Sequence, residues 1–205
     1  MQAPNRHLTR VVVMASGTGS NLQAILDACS AGELYAEVVA VVSDNDNAYA
    51  LKRAADAGVP SVHVGRHAGE ERADYDSRLA DVVSGFAPDL IVLAGWMRVL
   101  TMSFLGWFPR QVINLHPALP GELAGVDAIA RAYHEGRDGL RTRTGVMVHY
   151  VVDEGVDDGP LIAHAEVPLV DGEGLDELTA RIHDAEHRLL VDALTTLCDP
   201  NGGAR

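Results

Sequence analysis

Lysine is almost missing from this chain: Lys52 is the only one among 205 residues. Arginine carries nearly all the positive charge, and with alanine it dominates the composition, which we read as a genome signature without functional content. Sixteen basic residues against 29 acidic ones leave a formal charge of −13. That deficit argues against nonspecific binding to nucleic acid or to an anionic membrane. It leaves room for a small anionic ligand, because backbone N–H groups can hold phosphate locally. Cysteine is also scarce. Cys29 and Cys198 lie far apart in sequence, which excludes a disulfide scaffold and points to reduced thiols in a cytoplasmic protein. No apolar run reaches membrane-spanning length, and the opening MQAPNRHLTR has no apolar core of a secretory leader. Repeats and low-complexity tracts are absent. The 47% hydrophobic and 22% charged shares are ordinary for a globular chain, and the length suits one domain over residues 1–205.

Hydrophobic patterning predicts an α/β chain. Short apolar runs at 10–15 (RVVVMA), 37–43, 61–64, 89–93 and 111–115 read as buried strands. Helical spacing falls between them at 20–30, 48–57, 70–86 and 102–108. Alternation of this kind gives right-handed βαβ units and a mostly parallel, Rossmann-like twisted sheet with helices on both faces. After Pro117 the pattern changes. Residues 125–135 read as a helix, 144–151 and 161–167 as two antiparallel strands, 175–197 as a long closing helix, and 199–205 as a frayed tail. Residues 10–110 are expected to bind nucleotide or phosphate, and 111–198 to bind the second substrate and carry the catalytic groups.

Ser16-Gly17-Thr18-Gly19-Ser20-Asn21 sits between the first predicted strand and the first helix. Glycines there let backbone approach a ligand, and a helix N-terminus favours phosphate. A plain strand-to-helix turn capped by Ser20 or Asn21 is the alternative. No lysine follows the glycines, and Leu22 stands where a dinucleotide loop needs its third glycine, so neither a Walker loop nor a dinucleotide site is expected.

The chemistry-bearing pattern is Asn114-Leu115-His116-Pro117, with Val156-Asp157-Asp158-Gly159-Pro160 further on. Alternate strand residues share a face, so Asn114 and His116 point the same way, and Pro117 ends the strand at the crevice. An amide, an imidazole and a carboxylate suffice to attack a carbonyl without a metal. Singly, each has a plainer reading: a loop tie, a structural histidine, a turn residue.

ASGTGSNLQAI, LAGWMRVL, INLHPALPG and TGVMVHYVVDEGVDDGPLI, taken together and in this order, resemble the glycinamide ribonucleotide formyltransferases, folate-dependent enzymes of purine synthesis. The resemblance covers about residues 10–190. It implies a formyltransferase fold and transfer of formyl from 10-formyltetrahydrofolate to the amine of glycinamide ribonucleotide, with no metal. It implies Asn114, His116 and Asp157 as the catalytic trio, with Asp157 preferred to Asp158. It further implies Gly19, Ser20 and Asn21 on the substrate phosphate, with Glu186 on the ribose hydroxyls and His183 beside it. Arg72, Met97, Arg98, Val99, Leu100 and Asn114 are the implied folate contacts. Asp157 is expected to hold the imidazolium charge and raise the pKa of His116.

Departures from the family pattern are Ala118 in place of a serine, Asp127 where a histidine falls in other members, and Met147 in place of a small hydroxyl residue. The stretch 135–143 looks like an inserted surface loop. His149 reads as an internally bonded packing residue that the resemblance places close to the site, and His164, His183 and His187 as surface or helix-face residues. His183 and His187 have metal-compatible spacing without a third ligand. Formyl transfer to a sugar nucleotide or an aminoacyl-tRNA, hydrolysis of 10-formyltetrahydrofolate, a metallohydrolase and a noncatalytic nucleotide-binding module are the competing readings. The apolar MSFLGWF at 102–108 suits core or a homodimer interface.

Overall fold

Apolar β-branched runs become the centre of one sheet. In a computed structural model that describes residues 7–199, the strands are β1 (Thr9–Met14), β2 (Ala36–Ser43), β3 (Ser61–His63), β4 (Leu90–Leu93), β5 (Val112–His116), β6 (Arg143–Tyr150) and β7 (Leu161–Pro168). The helices are α1 (Ser20–Ala31), α2 (Tyr49–Asp56), α3 (Arg72–Ser84), α4 (Met102–Leu105), α5 (Ala128–Arg137) and α6 (Leu175–Leu197). The sheet order is β3-β2-β1-β4-β5-β6-β7. Pairing is parallel from β3 through β5 and antiparallel at β5–β6 and β6–β7. The expected Rossmann-like sheet with an antiparallel C-terminal part is the observed fold.

The strand period of two divides the core. Val11, Val13, Val92, Ile113 and Leu115 face one cluster, which Leu22, Ile25, Leu178, Ile182 and Leu190 of α1 and α6 complete. Val12, Met14, Ile91, Leu93 and Val112 face the other, against Tyr75, Leu79 and Val83 of α3 and Phe104 of α4. Both faces of β1, β4 and β5 are therefore buried, as a parallel sheet requires.

Several boundaries differ from the sequence reading. Residues 125–127 are not helical: Asp127 is left-handed at φ 56 and becomes the N-cap, so α5 starts at Ala128. The supposed inserted loop starts inside α5, which runs to Arg137. The helix expected at 102–108 ends at Leu105, and that expected at 70–86 covers only Arg72–Ser84. Of the tail expected to fray, residues 200–205 lie outside the described residues. Among the described residues, no helix is long and apolar enough to cross a membrane.

Candidate active site

Sheet order places the site. After β1 the chain turns toward β2 on one side, while β4 lies on the other, so the loops leaving β1 and β4 diverge at their carboxyl ends. Ligands bind at such a switch point in doubly wound sheets. A cleft of about 560 Å³ opens there. It runs from residues 16–21, past 93–100 and the end of β5, to 153–157 and α6.

At one end lies the glycine loop. Its carbonyls are turned outward: Asn45 Nδ2 donates to the Ser16 carbonyl, the Ala50 amide to that of Gly17, and Arg53 Nε to that of Thr18. The first-turn amides of α1 have no intrahelical partners and are left for the cleft. Gly19 has φ 70, and a Cβ there would lie 2.8 Å from Ala50 Cα. Gly19→Ala is expected to destabilise the fold by about 1–2 kcal/mol, read as a lower urea midpoint; an unchanged midpoint contradicts the close approach. Asn21 Nδ2 donates to Glu186 Oε2 at 3.3 Å, while Asn21 Oδ1 is buried without a partner. Burial pushes the Glu186 carboxyl up to about 7, and Asn21 opposes this only in part. His183 lines the cleft beside Glu186. His187 is half-buried, with its Nε2 buried and unpaired.

The middle is the 96–101 segment, anchored from three directions. Met97 N donates to Ser16 Oγ at 3.0 Å, tying this segment to the glycine loop. Arg98 Nε pairs with Asp44 Oδ2 at 2.5 Å. Thr101 N donates to the buried Asp76 carboxylate at 2.6 Å. Arg72, an expected ligand contact, lies outside the cleft lining; its Nη2 donates to the Val99 carbonyl at 2.9 Å. Met97 is 69% exposed, whereas Trp96 and Leu100 are buried. Met97, Arg98, Val99 and Leu100 all line the cleft.

At the end of β5, Asn114, His116 and Asp157 come together. Asn114 Nδ2 donates to Asp157 Oδ1 at 3.0 Å, and His116 Nδ1 lies 3.2 Å from Asp157 Oδ2. Asp157 adopts φ 55, a left-handed conformation that aspartate tolerates better than most residues. The next turn needs Gly159, because a Cβ there would sit 1.8 Å from the Tyr150 carbonyl. Asp158 instead packs its carboxylate against Gly155.

His149 is the functional candidate that sequence reasoning undervalued. Antiparallel register pairs Asn114 with His149 and His116 with Met147. His149 Nδ1 lies 3.0 Å from the Tyr150 carbonyl, and Nε2 lies 3.2 Å from Asn114 Nδ2 and 3.7 Å from Asp157 Oδ1. A protonated Nδ1 leaves Nε2 to accept from Asn114. Both amide hydrogens of Asn114 are thereby committed, one to Asp157 and one to His149. The TGVMVHY run marked a strand; only the register shows which face meets Asn114.

The electrostatics differ from expectation at His116. Burial is the largest influence and lowers its pKa below the ordinary histidine value; Asp157 and the Leu123 carbonyl raise it, but not enough. For Asp157, burial raises the pKa, yet the nearby His149 ring, donation from the Gly125 amide and the neighbouring His116 together bring it below the usual carboxylate value. The site at rest thus combines a firmly ionised carboxylate with a histidine whose burial disfavours its cation. A developing negative charge nearby reverses that preference. The arrangement can stabilise an oxyanion and relay a proton without a covalent intermediate.

A family model described as Formyl transferase matches residues 9–194. The Schizosaccharomyces pombe phosphoribosylglycinamide formyltransferase is 42% identical, over 93% of this chain and 98% of its own. The Escherichia coli protein of the same name is 37% identical, over 92% and 87%. A crystal structure of glycinamide ribonucleotide transformylase 1 from Geobacillus kaustophilus superposes with a TM-score of 0.87 at 40% identity, covering 94% of this chain and 100% of that one. With the fold and nearly the whole length in common, this chain is an enzyme of the formyltransferase family and belongs to its phosphoribosylglycinamide formyltransferases.

Proposed function

We propose that the chain transfers the formyl group of 10-formyltetrahydrofolate to the amine of glycinamide ribonucleotide. The carrying observation is the meeting of Asn114, His116 and Asp157 in a cleft that also contains the glycine loop and the 96–100 segment. In this reading the outward-turned carbonyls around Gly19, Ser20 and Asn21 leave amides for the phosphate. Glu186 and the unpaired Asn21 Oδ1 are two buried acceptors, which a ribose diol satisfies, with His183 alongside. The backbone of Met97, Arg98, Val99 and Leu100 meets the polar edge of the pterin. Arg72 serves that segment through its bond to Val99.

The amine nitrogen attacks the formyl carbon, and the carbonyl electrons move onto oxygen. Asn114 exchanges its longer bond, to His149, for one to the oxyanion, and His116, taking a proton from solvent as that charge builds and returning it on collapse, meets it as its cation. A proton passes from the attacking nitrogen through an Asp157-ordered water to the folate nitrogen. The carbon–nitrogen bond to folate then breaks with its electron pair on that nitrogen, and the carbonyl reforms on the ribonucleotide amine. Alignment of two substrates in one crevice supplies much of the acceleration.

The test follows absorbance of 10-formyltetrahydrofolate with and without glycinamide ribonucleotide. Turnover is expected only with the amine present. Equal turnover without it assigns hydrolysis instead, with water as nucleophile.

A further inference from the structure

Residues 123–125 grip both members of the His116–Asp157 pair, and a single arginine outside the cleft holds that stretch. Leu123 is left-handed at φ 46, between Gly121 at 76 and Gly125 at 83. This succession of turns brings the Leu123 carbonyl to 3.1 Å from His116 Nε2 and the Gly125 amide to 2.8 Å from Asp157 Oδ2. Leucine gains nothing from a left-handed backbone, so an outside contact has to maintain it. Arg131 of α5 provides that contact. Its Nη2 donates to the Leu123 carbonyl at 2.5 Å and to the Ala124 carbonyl at 2.7 Å. Its Nε is buried without a partner. A buried donor left unpaired is a cost, and here it accompanies a fork directed at the loop carbonyls. Arg131 is not among the residues lining the cleft.

We propose that Arg131 is a positioning residue for the transfer step: by clamping the Leu123 and Ala124 carbonyls it sets the orientation of the His116 ring against Asp157. The inference rests on the formyl-transfer reading above. The Leu123 carbonyl accepts only if His116 Nε2 carries a proton, so the clamp also selects the protonation pattern of the ring. The ionisable neighbours of His116 are Asp157, His149 and Arg131. The guanidinium stays charged throughout the working range, so changes in the profile near neutrality report on the other groups.

The test compares the full chain with Arg131→Met, which keeps bulk without donors, Arg131→Lys, and Arg137→Ala on the same helix. Arg131→Met is expected to lower kcat by about 10- to 30-fold with KM for both substrates within about threefold, as slight misplacement of a catalytic group does. The apparent pKa in the kcat profile shifts with it. Arg131→Lys recovers part of kcat, and Arg137→Ala matches the unaltered chain. Unaltered kcat and profile in Arg131→Met overturn the proposal. So does a loss in Arg131→Met that leaves the profile in place and is equally large in Arg131→Lys, which marks a merely structural role. Should Arg131→Met fail to fold, Arg131→Lys decides alone: its single point donor gives an intermediate kcat, and full kcat overturns the clamp. If the unaltered chain shows no formyl transfer, the functional reading falls instead. The 15N shifts of His116 then still judge the placement, and identical shifts in the unaltered and Arg131→Lys chains overturn it.

Discussion

Asp157→Asn is expected to lower kcat on the order of 10³-fold while the protein stays folded and binds both substrates. The substitution keeps shape and removes one property, the ability to accept on every side. Asp157 Oδ1 takes a hydrogen from Asn114, and Oδ2 takes one from the Gly125 amide and faces His116 Nδ1. An asparagine amide placed at the Oδ2 position meets the Gly125 donor head on. Placed at Oδ1, it meets the Asn114 amide. Flipping Asn114 in response turns its oxygen toward His149 Nε2, whose lone pair is already aimed there, so the mismatch is passed along. The left-handed backbone is not the confounding factor, because asparagine tolerates it as well as aspartate. Steady-state kinetics with substrate-binding titrations check this, and a kcat within tenfold of the unaltered enzyme removes Asp157 from the proposed role. The pH dependence has a definite sign. Asp157 is depressed in the fold, so its stabilisation is present above the ordinary carboxylate pKa and is lost as pH falls through the lower folded value. Any stability deficit of Asp157→Asn therefore shrinks toward acid.

Much of this site is legible in the residues themselves. Asn114 and His116 occupy alternate places on a strand that Pro117 stops, and strand periodicity alone puts them on one face. Gly17 and Gly19 between a strand and a helix mark the other end of the cleft. His149 shows where such reading stops. Its partner is fixed by the register between β5 and β6, which the intervening chain and α5 determine, and no local pattern encodes that register. The same holds for residues 125–127. Their composition fits a helix start, but the Gly125 amide is drawn to Asp157 and Asp127 turns left-handed, so tertiary contacts override local preference. The pKa of His116 illustrates a third limit. The pairing with Asp157 was readable and has the expected sign, but how far burial outweighs it depends on the loop folded over the ring. Arg72, which the resemblance puts near the folate, donates to the Val99 carbonyl of the cleft wall, a contact that the fold alone reveals.

Glu186→Gln is expected to make the free protein more stable and a worse enzyme. Glu186 is 6% exposed, and its pKa is pushed up to about 7 by burial. A carboxyl whose folded pKa exceeds its unfolded value favours the fold fully below the unfolded value, and that contribution disappears as pH rises through the folded one. Above neutrality the buried carboxylate is therefore a liability of about 3 kcal/mol. Glutamine is neutral and keeps an oxygen for Asn21 Nδ2. The gain should be absent near pH 4, grow between about 4.5 and 7, and level off beyond. Denaturant titrations at pH 4 and pH 8 check it, and an equal difference at both pH values contradicts the buried-charge account. The retained cost makes sense if ribose hydroxyls donate to the carboxylate when the ribonucleotide is bound. Replacing an ionised acceptor by a neutral one loses about 1 kcal/mol per such bond, so KM for the ribonucleotide should rise roughly 5- to 30-fold with kcat little changed. A variant that gains stability at pH 8 yet keeps its KM separates the two effects and removes Glu186 from the ribose.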